Sequence, residues 1–462
     1  MTARYGARAA KTGIERGSLQ PEQPGSRKRT RSLIRWSLLI AAVVTGAYFL
    51  TAGAETRSTR ASIPPVPHIP VVSDSPAFAV AASRGVQELL TGPYPVGMNS
   101  RTGLWGGHTR PNWWQSALAL QTIIRYLERT DNVNPLYQSV IERIYERNVY
   151  KPKSTAKRDF ANEFMDDTAW WGMAWLEASR YELKYRHDRA DAAKFLAVAE
   201  YDARYILAAP RQCGGIVWAL RRAPDMVTSA EFVALAARLS IYRAAPGVFH
   251  NAQLAAQWAS DGRYVLRWLT RSGMVDLHMG YVLDRINGGC HKFLGGPLTY
   301  SEGEMSDALT EMGIALHYPF YFRLASRFIR YVLNYKSGLI SHGVLQEHCE
   351  ALSGACRAMK NRLDIPAFKG VFIQAVVDWS AATGKHTFAR FLHNQAAAVV
   401  DNAVVNGQNE AADCNTAPNC RFAFIWGRTL DPGPPPVPVT VASQESAIDA
   451  LTAVLPAKSS SS

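Results

Sequence analysis

From Phe78 onward, apolar side chains recur at spacings of three and four, the period of helices that bury one face. The pattern predicts helices over 78–91, 112–129, 134–148, 162–183, 187–208, 227–243, 250–271, 303–316, 318–335, 366–383, 386–405 and 444–454. Phe232, Leu235, Ala236 and Leu239 show the spacing within one of them. Strand patterns are scarce. The stretch 274–286, flanked by glycine and carrying Val275, Leu277, Tyr281, Val282 and Leu283, reads as a short hairpin. The prolines of 428–440 predict an extended surface loop. A dozen helices in antiparallel succession make an all-α chain and suggest a closed ring of helical hairpins. An open solenoid is the alternative, although no fixed sequence period runs through the chain.

The pattern changes upstream. Residues 36–54 carry no charge over nineteen positions, enough to cross a bilayer, and come after Arg27-Lys28-Arg29, Arg31 and Arg35. The positive-inside rule then keeps 1–35 in the cytoplasm as a basic tail and exports the bulk of the chain. The long basic leader favours a single-pass type II signal-anchor. Ala52-Gly53-Ala54 leaves open a cleaved signal and a secreted product. Residues 55–75 read as a Pro/Ser linker, 76–456 as the helical domain and 457–462 as a disordered tail. A C-terminal lipid-anchor signal is not expected, because no hydrophobic tail follows Lys458.

Charge and cysteine refine this organisation. The formal net charge of +13 includes nine Lys/Arg against two Asp/Glu in residues 1–35, a net of +7, which leaves +6 over the rest. That excess is too diffuse for a nucleic-acid partner, though it favours anionic glycans weakly. All six cysteines follow the apolar span, which agrees with export. Proximity pairs Cys349 with Cys356 and Cys414 with Cys420, leaving Cys213 with Cys290, out of fifteen possible connectivities. Zinc is the weaker reading, since no Cys-x-x-Cys pair is present and His108, His278 and His348 show no ligand spacing. No cofactor is expected.

The chemistry concentrates at Asp166-Asp167-Thr168-Ala169-Trp170-Trp171-Gly172, inside a helix-patterned stretch. Aspartate is a poor helix-interior residue and is rarely buried unpaired. Helix capping explains most such pairs, but Asn162 is also a candidate cap and would place the aspartates inside the first turns. Two carboxyls beside indole faces suit glycoside cleavage. One protonates the leaving oxygen, the other attacks or stabilises the anomeric carbon, and the rings stack on sugars.

These residues and others in order resemble glycoside hydrolase family 76, the α-1,6-mannanases and their fungal wall-remodelling relatives. The similarity covers roughly residues 78–454. Besides the aspartate pair it rests on Trp113-Trp114-Gln115-Ser116-Ala117, Gly214-Gly215-Ile216-Val217-Trp218, Leu298-Thr299-Tyr300-Ser301-Glu302-Gly303, Gly343-Val344-Leu345-Gln346-Glu347-His348-Cys349-Glu350 and Phe368-Lys369-Gly370-Val371-Phe372. The resemblance implies an (α/α)6 barrel with a groove at one end and a retaining mechanism. In it Asp166 is the nucleophile and Asp167 the general acid/base. Retaining carboxyls stand about 5–5.5 Å apart, within reach of helix neighbours, and crowding is expected to hold Asp167 protonated. Asp284 resembles a substrate-binding position. The chain departs from the family at Ser301-Glu302, where Asn-Gln is usual, and at Arg221-Arg222-Ala223-Pro224-Asp225.

The expected substrate contacts are Trp114, Trp170, Trp171, Asp284, Tyr300 and Glu302, with Trp218 a further stacking candidate. Gly214, Gly215 and Gly303 are expected to serve backbone geometry, and Glu347 and Glu350 structural pairing or solvation. The leading reading is a membrane-tethered retaining glycosidase or transglycosidase on α-1,6-linked mannosides, with α-mannan or another mannose-containing glycan as partner. A non-catalytic glycan-binding or wall-scaffold protein on the same fold is the alternative. A Mg²⁺-dependent isoprenoid enzyme is the third reading, and it lacks a further Asp where Trp170 stands.

Overall fold

The computed structural model describes residues 76–107, 112–131, 134–149, 159–351, 356, 363–405, 412–415, 420–427 and 439–456. The basic tail, the apolar span 36–54, the linker, most of the 428–440 loop and the terminal serines lie outside the described residues. Among the described residues, no helix is long and apolar enough to cross a membrane.

Twelve α-helices account for most of these residues: α1 Pro76–Thr91, α2 Trp113–Thr130, α3 Pro135–Asn148, α4 Met165–Tyr181, α5 Arg189–Leu207, α6 Met226–Ala244, α7 Ala252–Leu269, α8 Thr299–Ala315, α9 Phe320–Val332, α10 Phe368–Thr383, α11 Ala389–Ala398 and α12 Val441–Thr452. Local chemistry fixes several starts. The Asn134 side chain accepts from Leu136 N ahead of Pro135, Asp188 accepts from Ala190 N and Asp191 N, and Asn251 accepts from Leu254 N. α10 ends on Gly384, whose φ of 64° suits glycine.

The helices alternate between two layers. The even-numbered ones pack each against the next, and α12 returns to α2, closing a ring of six. Outside it α1 lies on α12, α5 on α4, α7 on α6 and α9 on α8. Inner helices are buried on every face, and all twelve residues of α12 are buried. The outer α9 buries one stripe, Leu324, Ala325, Phe328, Ile329 and Val332. This is the ring of hairpins that the periodicity suggested.

Two boundaries depart furthest from the sequence pattern. α8 begins at Thr299, four residues before the expected start. Gly303 had marked that start, but its role is contact: a Cβ there would meet Phe372 Cα at 2.9 Å, where α8 and α10 touch. The expected 386–405 helix ends at Ala398, widens into a π-helical turn at Val399–Ala403 and becomes strand β9, Val404–Val405. β9 pairs with β10, Arg421–Phe422.

The loops carry four more two-stranded pieces: β1 Arg211–Gln212 with β2 Gly215–Ile216, β3 Val275–Asp276 with β4 Tyr281–Val282, β5 Arg285–Ile286 with β6 Phe293–Leu294, and β7 Ile340–Ser341 with β8 Val344–Leu345. The expected hairpin within 274–286 is therefore β3–β4, and its last residues open a second one. The disulfides Cys213–Cys290, Cys349–Cys356 and Cys414–Cys420 are all formed.

The inner helices gather their N-termini at one pole of the ring and their C-termini at the other. Charge at the C-terminal pole is bound internally. Arg238 of α6 reaches Asp307 Oδ1 at 2.9 Å, Glu311 Oε1 at 3.2 Å and Asp378 Oδ2 at 2.9 Å, and Arg125 meets Glu177 at 2.8 Å. The three carboxylates around Arg238 are the one group of metal-compatible spacing among the described residues. A guanidinium already serves all three. Replacing Arg238 with Met leaves them uncompensated between two inner helices. We expect a loss of about 3–5 kcal/mol in denaturant unfolding, with Arg238→Lys retaining part of it.

Candidate active site

At the other pole, the aspartate pair occupies the second and third residues of α4, with Phe164 at the N-cap position and no side-chain cap. Neither aspartate caps the helix. Both sit where unpaired backbone N–H groups and the helix dipole favour negative charge. Asn162 is not the cap either. Its Nδ2 donates to Asp167 Oδ2 at 2.7 Å, and its Oδ1 accepts from Phe164 N at 2.7 Å.

A tight hairpin spanning 217–225 organises the rest. Val217 pairs with Pro224, Phe164 with Ala219 and Asp225 with Arg285. Met165 N donates to Trp218 O and Met226 N to Asp284 O, each at 2.8 Å. These bonds bring Trp218 Nε1 to 2.7 Å from Asp166 Oδ2, which it donates to. They also set Asp225 and Asp284 beside the pair. Asp225 caps α6 by accepting from Thr228 N at 2.9 Å.

Crowded carboxyls in so buried a place resist ionising. Burial, and then Asp225, push Asp166 up to about 7, against the Trp218 indole and backbone N–H groups at the helix start. Burial lifts Asp225 to about 7 as well, opposed by Thr228 and reinforced by Asp284. Burial raises Asp284, opposed by Arg285 and by a hydrogen bond from the Tyr300 phenol. That phenol is itself pushed well up by burial, then by Asp284, Asp225 and Asp166. Glu231 of α6 is fully buried, and its carboxylate oxygens meet no hydrogen-bond donor among the described residues. Burial, then Glu304 and Asp166, hold it far above the ordinary carboxylate range. The sequence placed the upward shift on Asp167 through its neighbour. The structure places one on Asp166, and its causes are burial and Asp225.

The walls come from neighbouring helix starts. Tyr300 of α8 stacks on Phe368 of α10, with centroids 4.0 Å apart and planes at 19°. Trp114 of α2 donates from Nε1 to Asp364 Oδ1 at 3.2 Å, and Gln115 Nε2 donates to the same oxygen at 3.1 Å. Trp114 and Tyr300 both keep partial exposure and can face a ligand.

Three expected contacts need correction. Trp171 is fully buried among Trp113, Phe160 and Trp175, so it has no face for a sugar. Trp170 is buried too and backs the Trp114 ring at 6.2 Å. Glu302 is fully buried, and its Oε1 accepts from Val282 N at 3.0 Å. Helical spacing tells which residues are neighbours but not which face inward, so the Trp pair and Glu302 read as lining. Gly214 and Gly215 do serve backbone geometry, since a Cβ on Gly215 would fall 2.0 Å from the Trp268 ring. Glu347 and Glu350 are structural, bonded to Thr299 and to the buried Lys369 respectively. Sequence reasoning missed Asp225 and Glu231 as site residues. Asp225 had a legible role as the cap before α6, but its approach to Asp166 depends on the hairpin.

Asp225→Asn separates these roles, because asparagine caps a helix as well as aspartate does. The wild-type carboxyl binds its proton more tightly folded than unfolded. Its contribution to stability is therefore full below about pH 4 and is lost as pH rises through about 7. We expect Asp225→Asn to be more stable than wild type above pH 7, by about 1–3 kcal/mol in denaturant unfolding. Asp166 should ionise at lower pH in the same variant and at higher pH in Trp218→Phe, as followed by carboxyl NMR.

The chain matches the family model described as glycosyl hydrolase family 76 over residues 82–423. Among curated proteins none matches by sequence. Solved structures with similar folds include Dfg5 of Chaetomium thermophilum in complex with glucosamine, at a TM-score of 0.64 and 19% identity, covering 84% of this chain and 92% of that one. An inactive double Asp-to-Asn variant of the α-1,6-mannanase GH76A of Salegentibacter sp. HEL1_6, in complex with α-1,6-mannotriose, aligns at a TM-score of 0.61 and 17% identity, over 82% of this chain and 99% of that one. A GH76 α-mannanase of Bacteroides thetaiotaomicron aligns at 0.58 and 11% identity, over 82% and 95%. With its ring of helices, its paired aspartates and a family match across most of its length, the chain belongs to glycosyl hydrolase family 76.

Proposed function

We propose that this chain is a retaining glycosidase or transglycosidase acting on α-1,6-linked mannosides. The observation that carries the reading is the Asp166-Asp167 pair at a helix start, with each carboxylate held by a side-chain donor, Trp218 and Asn162. A relative of the same fold was crystallised with α-1,6-mannotriose as an inactive variant lacking two consecutive aspartates, which supports this assignment.

Asp166 attacks the anomeric carbon while Asp167 gives its proton to the departing glycosidic oxygen. The C–O bond breaks, a glycosyl ester forms on Asp166, and the leaving sugar departs as an alcohol. Asp167, now a carboxylate, takes the proton of a water or acceptor hydroxyl. That oxygen attacks the anomeric carbon and frees Asp166. Trp218 aims the Asp166 carboxylate, and Trp114 and Tyr300 offer faces for sugar rings. Water as acceptor gives hydrolysis and a sugar hydroxyl gives transfer.

The scaffold alternative drew on the Ser301-Glu302 departure. Glu302 lies buried against β4, so that departure leaves the carboxylate pole intact. The exported, membrane-tethered location is part of the proposal. It is supported by the charge-free 36–54 span behind a basic cluster and by three disulfides.

The test follows α-1,6-mannooligosaccharides by mass spectrometry with wild type, Asp166→Asn and Asp167→Asn. Wild type should shorten or lengthen them, and each variant should lose about 10²–10⁴-fold in rate. Unchanged oligosaccharides with wild type would remove the reading. The acid limb of the wild-type pH–rate profile should lie near 7, where Asp166 gains its proton, and move to lower pH in Asp225→Asn.

A further inference from the structure

The hairpin that holds Asp166 ends in a tip of unusual composition. Its base carries Trp218 and Asp225, and its turn closes with Arg222 N donating to Ala219 O at 2.9 Å. The turn presents Arg221 and Arg222, both exposed, and Arg221 sits at φ 66°. A bulky side chain in the left-handed region is uncommon and costs energy, and such strain gathers at ligand clamps. Neither guanidinium has an ion-pair or hydrogen-bond partner among the described residues. Arg285, across the Asp225 bridge, is 55% exposed and leans 3.6 Å from Asp284. Beside the tip, the Glu163 carbonyl accepts from Leu220 N. Arg221 stands three residues from Trp218, at most about 10 Å along extended chain. The two arginines therefore stand close along the chain to the tryptophan that holds Asp166.

Resting on the glycosidase reading above, we propose that Arg221 and Arg222 form a subsite for a phosphate ester carried by the glycan on a residue next to the one cleaved. Paired guanidinium forks match the oxygens of a phosphate, and two adjacent ones supply more donors than a neutral sugar hydroxyl can use. Solvent screening makes such a contact sensitive to ionic strength. The mannose-cleaving machinery stays common to neutral and phosphorylated glycans, and the hairpin tip selects between them.

The experiment uses the full chain carrying Asp166→Asn, so that ligands bind without turnover. Calorimetry compares α-1,6-mannotriose with the same trisaccharide bearing a phosphate monoester on a terminal mannose. The phosphorylated sugar should bind at least about tenfold more tightly at low ionic strength. That preference should collapse on adding Arg221→Gln and Arg222→Gln, and shrink in high salt. Equal affinities, no binding of either sugar, or a preference that survives the double substitution would each overturn the proposal. A carboxylate-bearing trisaccharide matching the phosphorylated one would also overturn it, in favour of general anion attraction. Turnover of the unmodified trisaccharide by wild type is read separately. Cleavage without a phosphate preference sinks the subsite and leaves the glycosidase. Phosphate preference without cleavage does the reverse.

Discussion

The inner helices all run one way, and much of the molecule depends on that constraint. Six N-termini converge at one pole, bringing unpaired N–H groups and the positive ends of six dipoles together. That pole can hold Asp166, Asp225 and Asp284 in a space where carboxylates would otherwise be intolerable. The opposite pole collects helix C-termini, and there the chain places Arg125, Arg180 and Arg238 and binds their charge with acids of its own. The polarity of the ring thus gathers crowded carboxyls at one end and paired charges at the other.

The aspartate end is held together by bonds that do two things at once. Asp225 caps α6 and also raises the carboxyl beside it. Trp218 closes one side of a hairpin and donates to Asp166. Asn162 ties the approach to α4 and donates to Asp167. Shared duty couples the chemistry to the backbone, so few of these groups can change without moving a carboxylate. Retaining acids that prefer to stay neutral sacrifices stability for reactivity, as strained active sites commonly do.

Helix count and order were legible because the outer helices carry a clear apolar stripe, as α9 does, and because several starts carry ordinary caps such as Asn134, Asp188 and Asn251. The start of α8 was not legible. A helix buried all round has no stripe, and Gly303 looked like punctuation when it marks a close crossing. The aspartate pair stood out for its chemistry. Asp284 entered by resemblance and Tyr300 by its place in a turn just before a helix, and the structure sets both close to Asp166 and Asp225. Trp171 and Glu302 misled because sequence gives proximity along a helix but not direction within a ring. Asp225 and Glu231 were hidden for a related reason, since their partners lie across the hairpin or on the next helix.

The closing of the ring also has a history in time. Gln444 of α12 donates to Gly85 O of α1, 359 residues earlier, and Arg129 of α2 reaches Leu455 O across 326. At translation speeds of about 5–20 residues per second, α1 and α2 wait tens of seconds for the helix that covers them. During that interval an apolar flank stands open on a nascent chain, and nothing local can shield it. The last inner helix acts as the keystone of an arch whose other stones are already laid. Damage near residues 441–452 would therefore show first as lost yield of folded protein, before any change in the chemistry at the far pole.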